Sequence, residues 1–253
     1  MAAVAPVIPV GEPLPGFMPL YLPQHPGIDY SFDFKTERFL CHVPDTYTGR
    51  EAFGLIVFIP GGKQPLAGVP ADWFPVLRER RLLFICPQRA YNTMDSALRQ
   101  GLAVVAALKM METHKIDPAR VYVAGLSGGA RIASDLGFRQ PELFRGTIQS
   151  CGSDFYRPVP VDKAVKLPRD AGKEPYGRLE ATPHEVDQAR RRVRFVLITG
   201  PKDFRYGNLL DIYNGGFAKD HFQAKLIDVP GMGHATCSAS ALGGALDFIE
   251  KGK

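Results

Sequence analysis

No stretch of the 253-residue chain holds 18 apolar residues in a row, so a membrane-spanning helix is not expected. None of the four cysteines, Cys41, Cys86, Cys151 and Cys237, sits in a CxxC pair. That argues against a zinc site, and four thiols in a chain of this length do not mark a disulfide-held scaffold. No internal repeat is visible, and collagen-like, coiled-coil and disordered organisation are excluded by composition. Charge of one sign is scarce: the net value is +5, spread along the chain, well short of a nucleic-acid signature. What remains is ordinary for a globular protein, with 45% hydrophobic and 23% charged residues. The length suits one large α/β domain better than two small ones.

The first residues are unusual. Met1 to Pro26 contains seven prolines and neither Lys nor Arg, the first such cation being Lys35. Prolines interrupt any apolar stretch and the charged start of a secretory signal is missing. The segment reads as a Pro-rich arm over residues 1–29. It fits a mature secreted or periplasmic protein whose signal has been replaced by a starting Met slightly better than a cytoplasmic protein with an extended arm.

From residue 30 to 253 the chain reads as a single domain. Strand-like runs alternate with helical patterns. Gly54–Ile59, Leu82–Cys86, Val121–Ala124 and Phe195–Thr199 are continuous apolar runs, each closed by Gly or Pro. Such runs suit strands buried on both faces of a parallel sheet. Arg38–Val43, Gly146–Ser150 and Ala224–Val229 are further strand candidates. Asp95–His114 carries Leu98, Leu102, Val105, Leu108 and Met111 near a helical period, with Asp95 or Thr93 as its cap. Gly128–Arg139 and Ala239–Glu250 are two more helices. Strands separated by helices imply a mostly parallel central sheet covered on both faces. Between the strands near 146–150 and 195–199 lie 41 residues, Gly152–Arg192, with five prolines. This stretch is too long for a plain crossover and is expected to be an insertion over the active site, with one helix at Glu185–Arg192.

The chemistry concentrates at Gly125-Leu126-Ser127-Gly128-Gly129, a G-x-S-x-G pattern. Eight serines give roughly 0.08 chance matches in a chain like this. The motif directly follows the apolar run VYVA and precedes the small-residue helix GGARIASDL. A nucleophilic serine needs that strand–turn–helix setting, and the glycines remove side chains that would clash across the turn. The helix start then points its N–H groups at developing negative charge.

A serine needs a base. Of six histidines only His234 follows a strand end inside a flexible turn, PGMGH, which puts it at the sheet's carboxyl edge with Ser127. His25, His42, His114, His184 and His221 read as structural or exposed. The imidazole needs a carboxylate. Asp203, just past the break Gly200-Pro201, is the first candidate, Asp211 the second and Asp228 the third. The order Ser, Asp, His is that of α/β-hydrolases. Two oxyanion donors are expected, the N–H of Gly128 and that of Gly62 in the loop Pro60-Gly61-Gly62-Lys63-Gln64, with Lys63 as alternative.

These segments resemble the esterase branch of the α/β-hydrolases that contains polyhydroxybutyrate depolymerases and feruloyl esterases. The likeness covers about residues 54–152 and 195–240. LIVFIPGGKQ resembles that family's oxyanion segment, with Pro60 where a His is usual. KIDPARVYVAGLSGGA resembles its elbow most specifically. ADWFPVLRERRLLFICPQ, PELFRGTIQSCG and PGMGHA match further segments. Arg131, one turn into the elbow helix, departs from the pattern, and the insertion has no counterpart in it. The resemblance implies an α/β-hydrolase fold, the triad Ser127, Asp203 and His234, and Gly62 and Gly128 as oxyanion donors. It implies no cofactor and no metal.

The expected activity is carboxylic ester hydrolysis through an acyl-enzyme. The substrate is expected to be a small, phenolic or short-acyl ester, monomeric or oligomeric. Lys63 and the insertion aromatics Phe155, Tyr156 and Tyr176 are the candidate substrate contacts. The insertion cations Lys163, Lys166, Arg169 and Arg178 alternate with Asp162, Asp170 and Glu180 and read as a solvated charged face. A serine peptidase or amidase on the same fold is the nearest rival, and a non-catalytic hydrolase-fold binding protein is the rival of another class.

Overall fold

The computed structural model describes residues 7–9, 37–161, 166–170 and 179–251. Among the described residues eight strands form one sheet: β1 (Val7–Pro9), β2 (Arg38–His42), β3 (Phe53–Ile59), β4 (Leu82–Pro87), β5 (Ile116–Leu126), β6 (Gly146–Ser150), β7 (Arg194–Thr199) and β8 (Ala224–Asp228). Their spatial order is β1-β2-β4-β3-β5-β6-β7-β8. β2 runs antiparallel to both β1 and β4, and all pairs from β4 through β8 are parallel. Each strand read from the sequence is present. β1 adds a short edge strand from within the Pro-rich arm, and the other residues of the arm lie outside the described set.

The continuous apolar runs split by alternation between two cores, as side chains on successive strand residues must. Leu55, Val57, Ile59, Val121 and Val123 face one core, shared with helices α2 (Ser96–Thr113) and α3 (Gly128–Arg139). Ile56, Phe58, Tyr122, Ala124, Val196 and Ile198 face the other, covered by α1 (Trp73–Glu79) and α6 (Ala239–Ile249). Trp73 is buried there and donates its indole N–H to the Cys237 carbonyl at 2.8 Å. Asp95 caps α2, its carboxylate accepting the Ala97 N–H at 2.8 Å. A third, aromatic core gathers Phe138, Phe155, Phe195, Phe217 and Phe222.

The inserted stretch contributes to that third core from its start and through α4 (Pro183–Arg192), which opens with a reciprocal cap between Thr182 and Glu185. Its short segment 166–170 packs on α5 (Tyr206–Ile212): the Gly207 N–H donates to the Pro168 carbonyl at 2.8 Å. α5 runs on into a wide π-helical turn, Tyr213–Ala218.

Candidate active site

β5 passes into α3 through Ser127, which adopts φ 56° and ψ −118°. Non-glycine residues rarely enter that left-handed half of backbone space, and holding one there costs on the order of 1–3 kcal/mol. The neighbours fix it: the Ser127 N–H donates to the Ser150 carbonyl at 2.8 Å, and the Arg131 N–H donates to the Ser127 carbonyl at 3.2 Å. The flanking glycines are required by space. A Cβ on Gly125 would collide with the Gly129 backbone, and one on Gly129 with the Ile59 carbonyl.

Asp203 and His234 come from two different loops, after β7 and after β8. Lys202 joins them, donating its N–H to the Met232 carbonyl at 3.1 Å and forming a short parallel bridge with Gly233. The result sets His234 Nδ1 2.8 Å from Asp203 Oδ1. With Nδ1 donating, Nε2 is the basic nitrogen. The Thr199 hydroxyl donates to Asp203 Oδ2 at 2.9 Å, and the Arg205 N–H donates to Oδ1 at 3.1 Å. Burial alone would push the fully buried Asp203 carboxyl up. Hydrogen bonds from His234, Arg205, Thr199 and Cys151 outweigh it and hold the group below the ordinary carboxylate value. The Phe204 ring lies on the imidazole of His234, with centroids 4.3 Å apart.

The other two carboxylates considered from the sequence are engaged elsewhere. Asp211 takes two bonds from Arg169, at 2.9 and 3.2 Å, and the exposed Asp228 accepts the Tyr206 hydroxyl at 2.5 Å. His42 packs against Phe74 and His114 against Tyr47, while His184 and His221 are exposed. His25 lies outside the described residues.

Gly62 sits in the loop after β3 and Gly128 is the first residue of α3. Asn92, which the sequence did not single out, ties the two together. Its N–H donates to the Gly62 carbonyl at 2.8 Å and its side-chain amide donates to the Gly61 carbonyl. A Cβ on Gly128 would collide with Asn92 Oδ1. Buried Arg99 holds this arrangement from below, donating to the carbonyls of Ala90 at 2.8 Å and Pro60 at 3.1 Å and to Asn92 Oδ1 at 3.1 Å. Burial lowers the Arg99 guanidinium to about 10, with nearby Arg131 acting in the same direction. Arg131 itself, read as a departure from the family pattern, bonds Asp154 Oδ1 at 2.7 Å.

The expected substrate contacts fare differently. Phe155 is a correction: it is fully buried among Phe138, Phe217 and Phe222, because the third core needs its ring, so it forms no wall facing substrate. Tyr156 packs against the same rings and donates its hydroxyl to Asp220 at 2.6 Å. Lys63 is exposed beside Gly62. Tyr176, Lys163 and Arg178 lie outside the described residues. Arg169 and Asp170 are half-buried ion-pair partners rather than a solvated face.

Arg205 stands beside Ser127 and was not singled out from the sequence. Its guanidinium Nη1 donates to Ser127 Oγ at 3.0 Å, and the residue is only 7% exposed. All four cysteines are buried free thiols, and burial pushes each of them up, so none is poised as a nucleophile. Cys151, Asp203 and His234 bring ligand-type atoms within 4.8 Å of one another. The Asp203 and His234 atoms bond each other, so the cluster reads as part of the hydrogen-bonded site.

No protein-family model matches the chain, and no curated protein matches it in sequence. Solved structures do share its fold. One is a thermostable esterase, 17% identical with a TM-score of 0.53 over 77% of this chain and 51% of that one. Another is a serine-to-alanine mutant of the feruloyl esterase module from Clostridium thermocellum complexed with sinapinate, 11% identical with a TM-score of 0.59 over 83% and 80%. A third is S-formylglutathione hydrolase from Staphylococcus aureus, 13% identical with a TM-score of 0.58 over 83% and 89%. The chain spans about half the length of the first of these. At these identities the likeness establishes the architecture, the α/β-hydrolase fold.

Proposed function

We propose that this chain is a serine carboxylester hydrolase acting on small or short-acyl esters, phenolic ones included. One observation carries the reading: a buried carboxylate 2.8 Å from His234 Nδ1, on the same sheet edge as a serine strained at a strand–helix turn. The esterases among the solved structures of this fold support it.

In this reading Ser127 Oγ attacks the ester carbonyl carbon. An Oγ–C bond forms while His234 Nε2 takes the hydroxyl proton. Asp203 orients the ring and stabilises the imidazolium. The N–H groups of Gly62 and Gly128 bind the oxyanion, each worth about 3–4 kcal/mol in the transition state. The bond to the alcohol oxygen then breaks, and His234 returns the proton to that oxygen. Water attacks the acyl-enzyme, giving its proton to His234, and the carboxylic acid leaves with Ser127 restored. In this reading the described strap 166–170 forms part of a wall beside the site, where Asp170 Oδ2 lies 3.3 Å from Arg205 Nη2.

The test is hydrolysis of p-nitrophenyl acetate and butyrate by the wild type beside Ser127→Ala, with matched amides alongside. Turnover by the wild type and loss on the order of 10⁶-fold in Ser127→Ala is the expected result. Full activity in Ser127→Ala overturns the nucleophile. Amide cleavage faster than ester cleavage overturns the ester assignment.

A further inference from the structure

From the position of Arg205 beside the nucleophile we infer that the site selects esters whose acyl group carries a carboxylate, with Arg205 as the specificity-determining residue. The inference rests on the esterase reading above and names its substrate class.

The argument begins with what the guanidinium touches. Arg205 follows Asp203 by two residues, so the turn that supplies the carboxylate to His234 also delivers a cation to the site. Its Nη1 lies 3.0 Å from Ser127 Oγ. In the acyl-enzyme the acyl carbon is bonded directly to that oxygen, which brings the substituents of a short acyl chain within reach of the guanidinium. A planar fork of five N–H donors matches a carboxylate better than any neutral group.

One resting partner of Arg205 besides Ser127 is itself a carboxylate. Asp170 Oδ2 lies 3.3 Å from both Nε and Nη2. One oxygen thus faces two donors at the long end of hydrogen bonding. Two other Arg–Asp pairs on this side of the molecule are made fork to fork and are shorter. Arg169 meets Asp211 at 2.9 and 3.2 Å, and Arg157 meets Asp220 at 2.8 and 2.7 Å. The pair beside the nucleophile is the loosest of the three. It belongs to a strap, 166–170, that a substrate carboxylate can displace from the guanidinium at small cost, since one carboxylate replaces another.

A second donor sits in the same cluster. Asn208, 1% exposed, accepts the Asp170 N–H on its Oδ1 at 2.8 Å, while its Nδ2 has no hydrogen-bond partner among the described residues. A buried amide donor left unmatched is costly. It lies three residues beyond Arg205, in the first turn of α5.

The experiment compares ethyl butyrate with monoethyl succinate in a pH-stat. The two differ only in a terminal methyl replaced by a carboxylate, and the leaving alcohol is the same. The readout is the ratio of kcat/KM for succinate over butyrate. The wild type is expected to favour the succinate half-ester. Arg205→Gln lowers the ratio by about 100-fold, whatever happens to each rate alone, because a charge-assisted pair is lost. Arg205→Lys restores part of it. Asp170→Asn raises the ratio, because it removes the competing carboxylate, and it carries the test should Arg205→Gln not fold. A wild-type ratio near one, or a ratio unchanged in a folded Arg205→Gln or Asp170→Asn, overturns the inference while the esterase reading stands. No turnover of either ester, together with no labelling of Ser127 by a fluorophosphonate, overturns the esterase reading and the inference with it.

Discussion

Thr199→Val removes one hydroxyl and nothing else of consequence. The two side chains have the same shape, and the backbone bond from the Val229 N–H to the Thr199 carbonyl, 2.8 Å, is untouched. The hydroxyl lost is the one that donates to Asp203 Oδ2 at 2.9 Å, inside a fully buried pair. A hydrogen bond to a charged group contributes about 1.5–3 kcal/mol, and a buried carboxylate oxygen left without its donor costs a similar amount. The expected destabilisation at neutral pH is therefore about 2 kcal/mol, which for a chain of this size is a fall in Tm of about 4–8 °C. The effect has a pH signature. Asp203 is held below its ordinary value of 3.8 when folded. Its stabilising contribution is fully present above that value and is lost as pH falls through the lower folded value. Thr199→Val moves the folded group back towards 3.8. The stability gap between wild type and variant should thus be full at pH 7 and shrink below about pH 4. Denaturant unfolding at pH 7, 5 and 2.5 checks this, the last lying well below the ordinary value of 3.8. A gap of nearly zero at pH 7, or one that stays constant with pH, refutes the view that these donors hold the carboxylate charged.

Two further substitutions separate site from scaffold. Asn92→Ala takes away the amide that ties the Gly61 carbonyl to the start of α3, and steady-state kinetics should show kcat falling on the order of 100-fold, as when an oxyanion donor is misplaced. Phe155→Ala empties part of the aromatic core, and chemical denaturation should show a loss of about 3–5 kcal/mol with kcat/KM of the folded protein retained. A specific loss of activity there would restore the substrate wall that its burial argues against.

The architecture was legible because its signal is repeated. Four of the six parallel strands read as continuous apolar runs closed by Gly or Pro, and burial on both faces leaves such runs little freedom to mean anything else. The parts that were missed have weak local signals. α5 and its π-helical continuation carry Gly207, Asn208, Gly215 and Gly216, all poor helix formers. They are helical because Leu209, Ile212 and Phe217 are buried and the strap packs on Gly207. β5 extends back to Ile116 through polar residues for a similar reason: it is paired with Phe53 of β3.

The site divides along the same line. Ser127, Asp203 and His234 stand at strand ends, so the sheet's direction puts them on one edge before any distance is known. Phe155 misled because an aromatic in a long insertion looks the same whether it faces substrate or core, and only the packing of Phe138, Phe217 and Phe222 decides. Arg205 was overlooked for the opposite reason. A single arginine in a loop is usually solvated, and nothing local distinguishes it from the many other cations of the chain. Its burial follows from Asp203 two residues earlier, whose bond to His234 fixes the turn, and from Asp170, which arrives from an insertion 35 residues away. A residue whose placement depends on two distant partners has no sequence pattern of its own. The features that set specificity are therefore the least legible part of such a chain, while the features tied to the direction of the sheet are the most.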